Sequence, residues 1–173
     1  MGWPKISFEA SFDFVVPGRP RGKERPRFCR AGSRGHAYTP RETRDYERLV
    51  ADCCRHEMRA QGLRGSWSLD ESAGLSVIAL FPIPASWPKW KREKALRGEL
   101  PPSCKPDFDN IAKAIADGLN GIAWKDDAGV ALGVQIKDWL RPAYARMADL
   151  SKYPHGCVLV GVLRPKIGET SDD

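Results

Sequence analysis

The chain has little that would send it to a membrane or an oxidising compartment. Its longest apolar runs, LSVIALFPIP and CVLVGVL, are strand-sized and well short of the ~20 residues needed to span a bilayer. The opening MGWPKISFEASFDF carries acids and has no uninterrupted apolar core, so it does not read as a signal peptide. The five cysteines, Cys29, Cys53, Cys54, Cys104 and Cys157, are odd in number, include an adjacent pair and show no C-x-x-C spacing. That pattern argues against both a disulfide framework and a zinc site. Histidine is scarce: His36, His56 and His155 are far apart, and each reads as an ordinary surface or core residue. There is no internal repeat and no linker. The expectation is a soluble, cytoplasmic protein with reduced thiols, no membrane association and no small-molecule cofactor.

What is present is positive charge. Lys and Arg outnumber Asp and Glu 28 to 22 over 173 residues, a balance that suits a polyanionic partner but is shared by many plain enzymes. The distribution says more. GRPRGKERPRFCRAGSRGH holds Arg19, Arg21, Lys23, Arg25, Arg27, Arg30 and Arg34 against the single acid Glu24. Its Gly and Pro spacing predicts a long basic loop over about residues 17–38 with no regular element. Taken alone, such a run is more often a solvated surface loop than a binding site.

Around this loop the pattern predicts one domain spanning 1–173, with a frayed tail over about 166–173. Residues 6–16 alternate as a strand. Thr39-Pro40-Arg41-Glu42 predicts a helix start, with Thr39 as cap and Glu42 completing a capping box. That helix runs to about Gln61 and turns Tyr46, Leu49, Val50, Cys53 and Met58 towards the core. Residues 75–83 predict a buried strand, and Ser86-Trp87-Pro88 opens a short basic helix, KWKREKALR, stopped at Gly98. Trp87 and Trp90 lie among Lys89, Lys91 and Arg92, where they suit core packing or, less commonly, stacking on unpaired bases. Val130, Leu132, Val134 and Ile136 alternate with small or polar residues as a half-buried strand, and residues 156–163 form the last one. The order β-α-β-α-α-β-β implies a single α+β domain on a mixed sheet.

The densest segment is CKPDFDNIAKAIADGLNGIAWKDDAGV. Pro106 discourages helix at Lys105, so the helix begins near Asp107 to Asp109. At 100° per residue, Asp109, Lys113, Asp117 and Asn120 share one face, and Ile111, Ile115, Gly118 and Leu119 share the other. Gly121 suits a left-handed stop, and Asp126-Asp127 precedes the strand at Val130. Seven extended residues reach about 23 Å, so the second acidic pair can return to the helix. Carboxylates that converge without His or Cys make a hard oxygen site suited to Mg²⁺ or Mn²⁺. Such a site can activate water and bind a scissile phosphate, and a lysine one turn away can neutralise charge in the transition state. Each piece also has a plainer reading: Asp before a helix is a cap, Asp-Asp before a strand is a turn, and Lys113 is an i,i+4 partner. On those readings the chain is a non-catalytic DNA-binding module. A phosphatase or glycosyltransferase using D-x-D is disfavoured, because Cys104-Lys105-Pro106 is not the hydrophobic parallel strand on which that motif usually sits.

The same segment resembles the signature of the RusA family of Holliday junction resolvases, common in phages and prophages. The family's Asp-x-Asp-Asn, its later Lys, Asp and Leu, and its Asp-Asp before Val fall on Asp107, Asp109, Asn110, Lys113, Asp117, Leu119, Asp126-Asp127 and Val130. GRPRGKERPRF and AYTPRETRDYE resemble the longer members, so the likeness covers most of residues 14–137. The resemblance implies a Mg²⁺-dependent homodimer that binds four-way, branched DNA and nicks two strands symmetrically. It implies that Asp107, Asp109 and Asp127 are the metal carboxylates, that Lys113 is catalytic or contacts phosphate, and that Asp126 is the weaker of its pair. Arg19, Arg21, Lys23, Arg25 and Arg27 are the expected DNA contacts. The stretch Lys89–Pro102 and the arginine segment exceed the compact members, which bears on junction selectivity more than on chemistry.

Overall fold

A computed structural model describes residues 7–31, 34–63 and 72–166. Alternating apolar residues build a four-stranded mixed sheet from β1 (Ser7–Pro17), β4 (Ala73–Phe81), β5 (Val130–Trp139) and β6 (Cys157–Lys166), in the order β1-β6-β4-β5. β4 and β5 are parallel, and the other pairings are antiparallel. β4 is central, and nearly every residue of it is buried, as its continuous apolar run requires. Helices α1 (Arg41–Ala60), α2 (Lys89–Arg97) and α3 (Phe108–Leu119) complete the α+β domain. No helix among the described residues is long and apolar enough to cross a membrane.

One sheet face carries the main core. Phe12, Phe14, Val16, Leu75, Val77, Phe81, Val158, Val160 and Val162 pack there against Val50 of α1 and Ile111, Ile115 and Leu119 of α3. Fully burying one such aliphatic side chain is worth about 1.5–3 kcal/mol, so this face fixes α3 firmly on the sheet. The other face has a smaller cluster, Ile78, Leu80, Cys157 and Leu159, covered by Tyr144, Leu150 and Tyr153.

Three local expectations are corrected. The basic segment is not without regular structure, because β2 (Arg27–Ala31) and β3 (Arg34–Tyr38) form a separate antiparallel hairpin. Thr39 does not cap α1: the N-cap is Pro40, with no side-chain cap bond, and the Glu42 carboxylate takes the Arg21 guanidinium at 2.6 Å. On the second half of β5 the apolar residues turn outward, with Val134 and Ile136 exposed while Gln135 and Lys137 are half-buried; Val130 at its start still packs on the core. Those two polar side chains hold the segment before α3. The short basic helix forms over Lys89–Arg97, and Gly98 stops it at φ 78°. β6 continues to Lys166, and the rest of the expected frayed tail lies outside the described residues.

Candidate functional site

Helix α3 presents the polar face that its periodicity predicts. Ile111, Ala114, Ile115, Ala116, Gly118 and Leu119 are buried, which leaves Asp109, Lys113 and Asp117 on the side away from the core. Gly118 sets how closely the helix sits on α1: a Cβ there would lie 2.9 Å from the Glu47 carbonyl oxygen and 2.9 Å from Val50 Cβ. Any larger residue would push α3 away and carry Asp117 with it.

Asp127 reaches this face through the turn after α3. The Gly121 N–H donates to the Trp124 carbonyl at 2.6 Å. Trp124 is almost fully buried, and its indole N–H donates to Asn120 Oδ1 at 2.9 Å and to the Ala116 carbonyl at 3.3 Å. Asn120 therefore anchors the turn and takes no part in the acidic face. Held in this way, Asp127 Oδ2 accepts from Lys113 Nζ at 2.5 Å. Its neighbour Asp126 accepts from the Ala128 N–H at 3.0 Å and caps the short 3-10 turn. The two adjacent acids thus have different uses.

Asp107 occupies the N-cap position of α3 but makes no side-chain cap bond. Both its carboxylate oxygens instead accept from Lys105 Nζ at 2.6 Å. The backbone beneath it is pinned from β5: Lys137 Nζ donates to the Cys104 and Pro106 carbonyls, the latter at 2.9 Å, and Gln135 Nε2 donates to the Phe108 carbonyl at 2.5 Å. Gln135 and Lys137 are positioning residues that the sequence reading missed. The available signal was two long polar side chains in register on a strand whose opposite set is apolar.

Asp109, Asn110, Lys113, Asp127 and Gln135 line one cleft of about 570 Å³ between α3 and the β4–β5 edge, floored by Leu75, Val77 and Val130. Asp107 is not part of this lining. A line of alternating charge runs from the cleft into the fold. Lys113 Nζ also lies 3.0 Å from Asp117 Oδ1, Asp117 Oδ2 lies 2.8 Å from Lys23 Nζ, and Lys23 closes on Glu47. Asp127 and Asp117 hold the Lys113 ammonium above its ordinary pKa, so it stays charged. Burial alone would raise the Asp117 pKa, but Lys23 and Lys113 outweigh it and lower it. Burial would likewise lower that of Lys23, and Asp117 and Glu47 reverse the sign.

The basic segment is joined to this site. The Lys23 N–H donates to the Asn110 carbonyl at 2.8 Å, and Gly22 lies so close that a Cβ would be 2.7 Å from Pro106 Cβ. A second cleft of about 330 Å³ runs from Arg19 and Arg21 to Lys105 and Pro106, directly before Asp107. Of the expected DNA contacts, Lys23 is committed inward to Asp117 and Glu47. Arg21 pairs with Glu42 and Arg27 with Glu24 at 3.3 Å, both remaining largely exposed, and Arg19 and Arg25 are exposed on the surface.

The model of the endodeoxyribonuclease RusA family matches residues 17–142. The chain belongs to the RusA family. The match takes in the basic segment, both clefts and the whole acidic face. A relative, "Uncharacterized protein YqaN" of Bacillus subtilis (strain 168), is 32% identical over 117 residues, covering 68% of this chain and 80% of that protein. RusA members are endodeoxyribonucleases acting on DNA junctions, and as a class they depend on metal.

The donor chemistry fits a hard divalent cation, since Asp109 and Asp127 offer only carboxylate oxygen to one cleft. Among the described residues no three acidic, His or Cys side chains are close enough to enclose an ion. Asp127 and Asp107 instead carry the ammonium groups of Lys113 and Lys105.

Proposed function

We propose that the chain resolves four-way DNA junctions by phosphodiester hydrolysis, acting as a homodimer that makes paired, symmetric nicks. The carrying observation is the convergence of Asp109, Lys113 and Asp127 on one cleft, the first two from α3 and the third from the turn before β5. Asp109 and Asp127 would hold Mg²⁺ (or Mn²⁺), with Asp107 joining them on release from Lys105. When bound there, such an ion would supply Lewis-acid chemistry to the scissile phosphate and the attacking water. Lys113, fixed as a cation by Asp127 and Asp117, is placed to neutralise charge that grows on the phosphate oxygens in the transition state. Arg19, Arg21, Arg25 and Arg27 border the second cleft and the hairpin, where phosphates of the DNA arms would lie. Among the described residues there is one such cleft, so two symmetric cuts would require two copies.

The test is a synthetic four-way junction beside a matched duplex. Mg²⁺ should support paired cutting of the junction only, and Ca²⁺ should permit binding with little cutting. Cutting in excess EDTA, or light scattering at the 19.3 kDa chain mass from a preparation that still makes paired nicks, would overturn the proposal.

A further inference from the structure

Helix α2 is the most basic element of the fold and the helix least engaged with the core. Lys89, Lys91, Arg92, Lys94 and Arg97 are set against Glu93 within the helix and Glu99 just beyond it, whose carboxylate takes the Arg97 guanidinium at 2.6 Å, and Ala95 is the helix's only buried residue. Two tryptophans sit at its start and have opposite surroundings. Trp87 packs edge-on against Trp139, with ring centroids 5.1 Å apart, and Lys91 Nζ covers it at 3.9 Å. Trp90 is 60% exposed. Lys94 lies 5.8 Å from the Trp90 ring, and at 100° per residue Lys94 and Arg97 flank Trp90 on the outward face. The core has no use for this indole, whose large apolar surface is left beside cations.

The mounting of α2 relates it to the acidic cleft. Trp87 rests on Trp139 at the far end of β5, and the Trp139 indole N–H donates to the Leu100 carbonyl at 2.6 Å. Lys137 then holds Cys104 and Pro106. β5 therefore grips both ends of the segment that joins α2 to Asp107. Gln135, which lines the cleft, stands four residues before Trp139 on β5, about 13 Å along the strand. α2 is a fixed flank of the site, not a dangling arm.

We propose that the outward face of α2 is a second nucleic-acid contact, in which Trp90 stacks on an unpaired base while Lys94, and Arg97 on exchanging Glu99 for phosphate, hold the adjoining phosphates. An aromatic plane accepts any base, and neighbouring cations track the backbone. The ligand class is DNA with unstacked bases, such as a single strand or the branch point of a junction. This rests on the reading of the protein as DNA-directed, but not on its cutting chemistry.

The test measures binding of a fluorescent single-stranded oligonucleotide, a forked duplex and a blunt duplex in Ca²⁺, using the full chain. Trp90→Ala should weaken binding to the single strand and the fork about tenfold and change blunt-duplex binding little. Trp90→Phe should retain most of the affinity, because a phenyl ring still stacks. Thermal unfolding of both variants should match wild type, since the side chain is exposed. Equal loss on blunt duplex would reduce Trp90 to a general contact and overturn the proposal, as would unchanged fork binding. Loss of binding to anionic phosphatidylserine vesicles, with DNA binding intact, would assign the face to a lipid surface instead. If Trp90→Ala shows the expected loss while no junction is ever cut, the proposal stands and the nuclease reading falls.

Discussion

The acidic face of α3 and the basic segment before α1 are charged regions that hold their charge in different ways. On α3 the charges around Lys113 are locked, because Lys113 bridges Asp127 and Asp117 and Lys23 holds Asp117 from the other side; the Asp107–Lys105 pair at the helix start is exposed. In the basic segment Arg19 and Arg25 are turned to solvent, while Arg21 and Arg27 make single exposed pairs. Lys23 belongs by sequence to the second region and by geometry to the first. Fixed charge suits chemistry, where reorganisation costs rate. Exposed charge suits affinity for a polyanion, where released counterions drive binding.

If that division is right, removing locked charges should affect rate and removing exposed ones should affect affinity. Lys113→Ala should lower single-turnover cutting by about a hundredfold, the equivalent of ~3 kcal/mol of transition-state stabilisation. Its binding should be nearly unchanged. A variant that cuts at the wild-type rate would reduce Lys113 to a structural partner of Asp117.

Lys23→Met sharpens the boundary. The ammonium is half-buried between Asp117 and Glu47, so its loss should cost about 1–2 kcal/mol of stability, between the exposed and buried limits. The salt dependence of DNA binding should barely move. Arg25→Ala should do the reverse, leaving stability intact and reducing the slope of log affinity against log salt by about 0.9 per lost phosphate contact. Identical behaviour of the two variants would erase the distinction.

The smallest effect is a pH dependence. The Asp117 pKa is lowered in the folded state, so its contribution is present above the ordinary value of 3.8 and is lost as pH falls through the lowered value. Urea unfolding of wild type and Asp117→Asn should show a stability gap at about pH 6 that narrows towards about pH 2. A gap that widens with acid would give the shift the wrong sign.

The comparison also explains what the sequence could disclose. The two faces of α3 were legible because a helix with one buried side must repeat its apolar residues every three to four positions, and Ile111, Ile115 and Leu119 do so. The β2–β3 hairpin was not, because it forms its own two-stranded sheet with Phe28 83% exposed. Its described side chains, Arg27 to Cys29 and His36 to Tyr38, are exposed, and a strand whose side chains meet water need not alternate. The outward turn of Val134 and Ile136 was hidden for another reason: Gln135 and Lys137 are drawn inward by the carbonyls of Cys104, Pro106 and Phe108, a long-range demand that local periodicity does not record. The acidic residues were legible as a group, but their division of labour was not. Only the fold separates Asp126, spent on the Ala128 N–H, from Asp127, held against Lys113.

That adjacent pair offers the most direct test of the central claim, that the α3–β5 cleft is the cutting centre. Asp127→Asn and Asp126→Asn should be compared in single-turnover cleavage of a four-way junction in Mg²⁺, with binding measured in Ca²⁺. The account predicts that Asp127→Asn binds at least as well as wild type and cuts at least about a hundredfold more slowly. Asp126→Asn, which keeps a capping oxygen, should cut close to the wild-type rate. Equal rates for the two variants, or the larger loss at Asp126, would contradict it.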